Sequence, residues 1–294
     1  ESDFTVVNLT FDNVGIYVLN CSRFVIANNV FVNVEYAIRI AIYSGQICES
    51  FVIANNTFFG SEGAKPLVIL LGSPGERGIR NFLIVNNTLM NGQKIGVRFA
   101  ENGIIAGNKI INSSHGIATR GVSNITIEGN FIENCSGYGI YLGTQIGDFG
   151  TNNVTIKNNL VVTNNVGIAR WYGSYPVKDV KVENNQFTNN IMYDIEADFP
   201  ARFVNNVVTS KSKLRVVDTG SKFVGTKSVL GEPIQPGDLN DDGKIDMRDI
   251  GTVACSFGSY PGDRRWNPMA DVIDDGVIDI KDVSFTGRYF GLFS

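Results

Sequence analysis

The run DLNDDGKIDMRD, residues 238–249, carries oxygen ligands at alternate positions, with Asp238 first, Asn240 third and Asp242 fifth. These are hard donors at the spacing a twelve-residue calcium loop requires. The Lys244 carbonyl falls at position 7, Asp246 at 9 and Asp249 at 12, while Gly243 at 6 supplies the sharp turn and Ile245 at 8 packs between paired loops. A second copy, DVIDDGVIDIKD, starts 33 residues on and offers Asp271, Asp275, the Val277 carbonyl, Asp279 and Asp282 around Gly276. Its third position is Ile273, which has no oxygen. Two calcium ions are expected, the second bound more weakly unless Asp274 or water substitutes. Each loop leads into an amphipathic helix, MRDIGTVACSFG and IKDVSFTGRYFG.

A second set of residues points to saccharides. Outward positions after recurrent Gly-Ile turns line up as Arg39, Arg98, Arg120, Tyr141, Trp171 and Glu196. Arginine pairs carboxylates, and Tyr141 or Trp171 would stack on sugar rings. The single histidine, His115 in SSHGI, is expected to be structural. No close acid and base pair of the kind glycoside hydrolysis uses is apparent, so no catalytic residue is assigned.

These residues need a scaffold that repeats. RFVIANNVFVNV, SFVIANNTFFGS, NFLIVNNTLMNG, GIIAGNKIINSS, NITIEGNFIENC, NVTIKNNLVVTN, DVKVENNQFTNN and ARFVNNVVTSKS are one pattern eight times, anchored on Asn29, Asn56, Asn87, Asn108, Asn130, Asn159, Asn185 and Asn206. A degenerate ninth copy opens the chain with Leu9 at the anchor. The anchors lie 21 to 31 residues apart, the surplus falling in loops such as GSPGERG and GTQIGDFGTN. Short runs of alternating apolar residues read as strands. Three such strands in a coil of about 22 residues make a parallel β-solenoid, its coils about 4.8 Å apart. An inward amide at each bend would stack into a hydrogen-bonded ladder and tolerate unusual backbone there, which accounts for the 32 asparagines.

The register pairs cysteines as well. Cys21 and Cys48 each precede an anchor by eight residues, so they occupy one position on adjacent coils, and a Cys21–Cys48 disulfide is expected. Cys135 and Cys255 have no such partner and read as buried apolar residues. Of eight N-x-[ST] sequons, Asn124 and Asn153, at loop-to-strand edges, are the better glycan acceptors. Residues 238–294 carry 11 acidic and 6 basic side chains, against a formal net charge of -4 for the chain, so an acidic segment follows a near-neutral body. No basic patch tracks phosphates, which argues against a nucleic-acid partner, and no apolar run of about 18 residues spans a membrane. The start at Glu1, with no charged and apolar leader, fits a cytosolic protein or a secreted one already processed; the sequons and cysteines favour secretion or the cell surface.

The repeat, from about residue 4 to 225, resembles the right-handed parallel β-helix of the pectate lyase-like superfamily, in particular its archaeal and bacterial surface proteins. The tandem loop-helix units of residues 237–292 resemble a dockerin of the duplicated type found in archaeal surface proteins. That resemblance implies calcium-dependent folding and a cohesin-like partner, recognised through loop positions 10 and 11, here Met247, Arg248, Ile280 and Lys281. The expected organisation is a mainly β helix over 1–230, a linker at 231–236 and a small α-helical dockerin-like domain over 237–294 with two EF-hand-like loops. The leading functional expectation is a non-catalytic surface or assembly protein, recruited by a partner or polymerised head to tail with copies of itself through an open coil edge. The alternative is a polysaccharide lyase, glycoside hydrolase or carbohydrate-binding protein carried by the same module.

Overall fold

The computed structural model describes residues 3–291 except 35, 61–67, 74–75, 93, 144–149, 172–175, 218–219, 232–233, 235 and 241. Its strands assemble into three parallel sheets. Sheet 1 has ten strands, from Phe4–Val7 to Lys222–Val224; sheet 2 has ten, from Thr10–Asp12 to Lys227–Ser228; sheet 3 has nine, from Ile16–Leu19 to Leu214–Val216. Successive strands of a sheet come from successive coils, as the repeat requires. The solenoid has one coil more than the asparagine pattern reveals: the last is KFVGTKS, where Gly225 and Thr226 stand in place of the Asn pair.

In-register stacking fills the interior with like on like. Ile26, Ile53, Ile84, Ile105, Ile127 and Ile156 form one continuous row. Phe4, Phe24, Phe51 and Phe82 form another, with rings 4.9, 4.8 and 5.7 Å apart. The row ends at Gly103, opposite Phe82, because a Cβ there would lie 2.1 Å from the ring.

The eight anchor asparagines are buried and form the expected ladder. Each of the first seven uses its backbone N–H and its Nδ2 to donate to Oδ1 of the next, as from Asn87 to Asn108 at 3.0 Å and from Asn108 to Asn130 at 2.9 and 3.0 Å. They are not, however, the residues with unusual backbone. That falls on the preceding residue: Asn28, Asn55, Asn86, Asn158, Asn184 and Asn205 have positive φ, and Gly107 and Gly129 take the same place before Asn108 and Asn130. Two further left-handed columns, Asn33, Asn91, Asn112, Asn134 and Asn189 after sheet 2, and Asn81, Asn102, Asn124 and Asn153 within the strands of sheet 1, complete the bends. The asparagine surplus therefore has two causes, since Asn enters the left-handed region more readily than other L-residues. Asn124 and Asn153 accordingly lie within strands Ser123–Glu128 and Thr151–Lys157, and their Nδ2 groups donate to Asn102 and Asn124 at 2.9 and 2.7 Å. A glycan at either must displace that outer ladder.

The cysteine register is as expected, but the disulfide is not formed: Cys21 and Cys48 are free thiols. Cys48 Sγ turns to the Cys21 carbonyl at 2.6 Å, and Cys21 Sγ to the Leu19 carbonyl at 3.1 Å. Equivalent positions on parallel coils project their Cβ atoms side by side about 4.8 Å apart, wider than a disulfide favours. Burial pushes the Cys48 thiol up to about 12, away from thiolate chemistry. Cys135 is buried as expected; Cys255 is exposed.

The C-terminal segment forms two short helices, α1 (Met247–Ser256) and α2 (Ile280–Arg288). Each opens with a capping box, Asp246 with Asp249 and Asp279 with Asp282. The segment does not stand off behind a free linker. Ile234, Ile245, Ile273, Phe285 and Tyr289 belong to the same continuous apolar core as the solenoid interior.

Candidate functional site

Sheet 3 carries the candidate site. Its outward residues fall into two columns rather than one stripe, because residues two apart on a strand share a face. One column runs Tyr17, Arg39, Ile69, Gly96, Ala118, Tyr141, Ala169. The other runs Leu71, Arg98, Arg120, Gly143, Trp171. Arg98 and Arg120 are thus direct neighbours on adjacent coils, and Tyr141 lies one coil on in the other column, opposite Ala118. The backbone of Trp171 follows opposite Gly143; its side chain lies outside the described residues. Arg39 is two coils from Arg98 and sits over the rings of Tyr17 and Tyr36 at 5.2 and 5.7 Å, apart from the cluster. Glu196 is also separate, paired with Arg215 at 2.6 Å near the last coil.

Four residues absent from the expected stripe, Lys94, Phe99, His115 and Tyr138, adjoin the cluster. Lys94, at the corner before strand Ile95–Arg98, places Nζ 3.2 Å from the Tyr141 hydroxyl. His115, at the equivalent corner one coil on, stacks on Tyr138 at 5.8 Å and meets the edge of Tyr141 at 5.3 Å. Arg120 lies over the Phe99 ring at 5.6 Å. The corner positions were visible in the repeat, but only pairing across coils shows that they converge on Tyr141.

The charges acting within the cluster are cationic. Burial, then repulsion from Arg98, holds Lys94 below the usual ammonium range. Burial raises Tyr141, against the pull of Arg98 and Arg120. Burial, then the Lys94 charge, lowers His115 to about 4, so its imidazole is neutral at pH 7. An aromatic face flanked by cations, with Gly96 and Ala118 buried beside Tyr141, has the chemistry to pair a sugar carboxylate. One coil beyond strand Val166–Trp171, Asp198 accepts from the Arg170 N–H at 2.9 Å, and burial lifts its carboxyl to about 6. It is a further proton-carrying group that patterning did not single out.

His115 gives a pH prediction. Its folded pKa is depressed, so its contribution to stability is complete above about 6.5 and is lost as pH falls towards 4. Between pH 7.5 and 5, the denaturant midpoint of the native chain should fall more than that of His115→Asn.

The calcium-type loops are built alike. Asp238 accepts from the Asp242 and Gly243 amides at 3.2 and 2.9 Å, and Asp271 from those of Asp275 and Gly276 at 3.2 and 3.0 Å. The turn glycines Gly243 and Gly276 have φ of 81° and 82°. Asp249 accepts from Leu239 N and Asp246 N, and Asp282 from Ile273 N and Asp279 N. Burial raises the carboxyls of Asp238, Asp271 and Asp282. Among the described residues no three His, Cys, Asp or Glu side chains converge into a metal centre; the carboxylates are turned onto loop amides and onto Arg248 (to Asp242, 3.0 Å) and Lys281 (to Asp275, 2.6 Å). The all-oxygen donor set of loop 1 fits a hard divalent ion. Loop 2 does not: Ile273 is buried in the core, and Asp274, its substitute donor, is held by Arg215 at 2.5 Å. Met247 and Ile280 are 65% exposed, on the opening turns of the helices.

The right handed beta helix region family model matches residues 1–187. The chain belongs to that family. This gives the solenoid its hand and agrees with the parallel three-sheet coil. Among solved structures, this β-helix is similar to the A-module of a mannuronan C-5 epimerase from Azotobacter vinelandii, with 16% identity and a TM-score of 0.51 over 79% of this chain and 59% of that one. The chain therefore spans less than two thirds of that module. More distant are the catalytic domain of a GH87 α-1,3-glucanase (14% identity, TM-score 0.39, 78% of this chain and 52% of that) and a capsular polysaccharide depolymerase tailspike from an Acinetobacter baumannii bacteriophage (12%, 0.38, 71% and 40%). No curated protein matches the chain in sequence. At these identities the likeness is one of fold. Among the described residues, no helix of this β-helix protein is long and apolar enough to cross a membrane.

Proposed function

We propose that this β-helix binds and acts on an acidic polysaccharide laid across sheet 3, with Arg98 and Arg120 pairing sugar carboxylates and Tyr141 forming the floor. The observation that carries the reading is the convergence of Lys94, Arg98, Arg120 and His115 on Tyr141. Cations beside a carboxylate stabilise the enolate-like charge that develops when the proton α to it is removed. Neutral His115 is the proton acceptor in this reading, and Tyr141, hydrogen-bonded to Lys94, the group that returns a proton. Polysaccharide-acting proteins on the same fold are consistent with this in kind. A purely structural wall has no need of such a cluster, which favours action on a polysaccharide over a non-catalytic assembly role.

Loop 1 is proposed to bind calcium through Asp238, Asn240, Asp242, the Lys244 carbonyl, Asp246 and Asp249. The ion would tie the loop together ahead of α1. Met247, Arg248, Ile280 and Lys281 are the surface we assign to a cohesin-like partner, and a secreted or surface location is part of the same proposal.

The test is product analysis after incubation with uronate-containing polymers, with unsaturated ends and C5 inversion read by NMR. Tyr141→Phe and His115→Asn should each lower turnover at least about 100-fold while binding persists. Binding without any product in the native chain would reduce the site to recognition alone.

A further inference from the structure

We infer that the second loop is not a calcium site but the clasp of an end cap that closes the solenoid. A solenoid end exposes unpaired strand edges and the apolar floor of its last coil, and needs covering. In the last coil Phe223 stacks on Phe203 at 4.6 Å, yet it is only 4% exposed. The cover comes from residues 234–291. Ile245, Ile273, Phe285 and Tyr289 continue the solenoid core, and the Tyr289 hydroxyl donates to the Ser221 carbonyl at 2.7 Å. Ile234 N donates to the Thr226 carbonyl at 2.7 Å, and Lys211 Nζ donates to the Asp238 carbonyl.

Loop 2 departs from a calcium loop at the points where it meets the solenoid. At position 3, where an oxygen is required, Ile273 is 2% exposed and joins the shared core. At position 4, Asp274 takes a left-handed φ of 52° and pairs with Arg215, which in turn pairs with Glu196 of sheet 3. Loop 1 keeps an oxygen donor, Asn240, at its matching position 3. The lost ligand is thus explained by a contact rather than by decay of the sequence: the side chain that would face the ion faces the core.

The experiment combines calcium titration by calorimetry with site-resolved hydrogen exchange on the full chain. No more than one calcium per chain is expected. Ile273→Ala and, separately, Asp274→Asn should speed exchange of the Phe203, Val216 and Phe223 amides by at least about tenfold, leaving Ile84 and Ile105 in the middle coils unchanged. Tyr289→Phe, which leaves both loops intact, should do the same to a smaller extent and serves if Ile273→Ala fails to fold. Two calcium ions bound with similar affinity, or terminal-coil exchange indifferent to all three substitutions, would overturn the clasp. Neither outcome depends on polysaccharide binding, so the two readings fail separately.

Discussion

Replacing Asn108 by leucine is expected to destabilise the solenoid by about 3–5 kcal/mol. Asn108 is fully buried at mid-ladder; its Oδ1 accepts both the N–H and the Nδ2 of Asn87, and its Nδ2 donates to the Ile84 carbonyl at 2.8 Å. Leucine strands the Asn87 backbone N–H and takes the Nδ2 donor from the Ile84 carbonyl, while Asn87 Nδ2 keeps the Ile53 and Val85 carbonyls at 3.0 and 3.1 Å. Each buried orphan costs about 1–3 kcal/mol, which outweighs the apolar gain from leucine. Asn112 is the contrasting case. It is exposed with φ of 51°, so alanine there should cost only about 1 kcal/mol, the strain of a left-handed Cβ, and glycine should cost less. Equilibrium denaturation of the three variants checks the assignment. Equal losses at Asn108 and Asn112 would mean that the ladder and the bends have been assigned wrongly.

The second large effect is expected on binding. Each arginine paired with a carboxylate contributes about 1.5–3 kcal/mol. Arg98→Ala and Arg120→Ala should therefore each weaken binding of an acidic polysaccharide roughly 10- to 100-fold. Because the two residues are opposite one another on adjacent coils, they can engage one carboxylate together, and the double variant should lose less than the sum of the single losses. Arg39→Ala is the internal control: its guanidinium lies over Tyr17 and Tyr36 on distant coils, and affinity should be unchanged. Folding should survive in all of these variants, since the removed groups lie on the outer face of sheet 3. Isothermal titration with a single uronate oligomer separates the outcomes.

How much of this was legible in the sequence follows from which interactions repeat. The ladder and the isoleucine row recur at every coil, so one-dimensional patterning reached the solenoid, its register and its buried amides. The last coil escaped because Gly225 and Thr226 preserve the backbone role of the Asn pair without its letters. The site was only half legible. Outward arginines and Tyr141 were found, but placing them in one stripe ignored the two-residue period of the face, and Lys94 and His115 lie at corners whose convergence depends on pairing across coils. The cysteines show the same limit from the other side: register predicted their alignment, while side chains projecting in parallel hold the Cβ atoms at the coil spacing, wider than a disulfide favours, and each thiol turns to a carbonyl instead. Loop 2 read as a weakened calcium site because sequence does not show what Ile273 faces.

Titration of the native chain with a polyuronate, and with the same polymer after reduction of its carboxyls to alcohols, decides whether the cationic aromatic cluster on sheet 3 recognises sugar carboxylates. Saturable binding of the polyuronate should weaken as salt is raised and be lost on reduction. Equal affinity for the two polymers, or binding of neither, would contradict it.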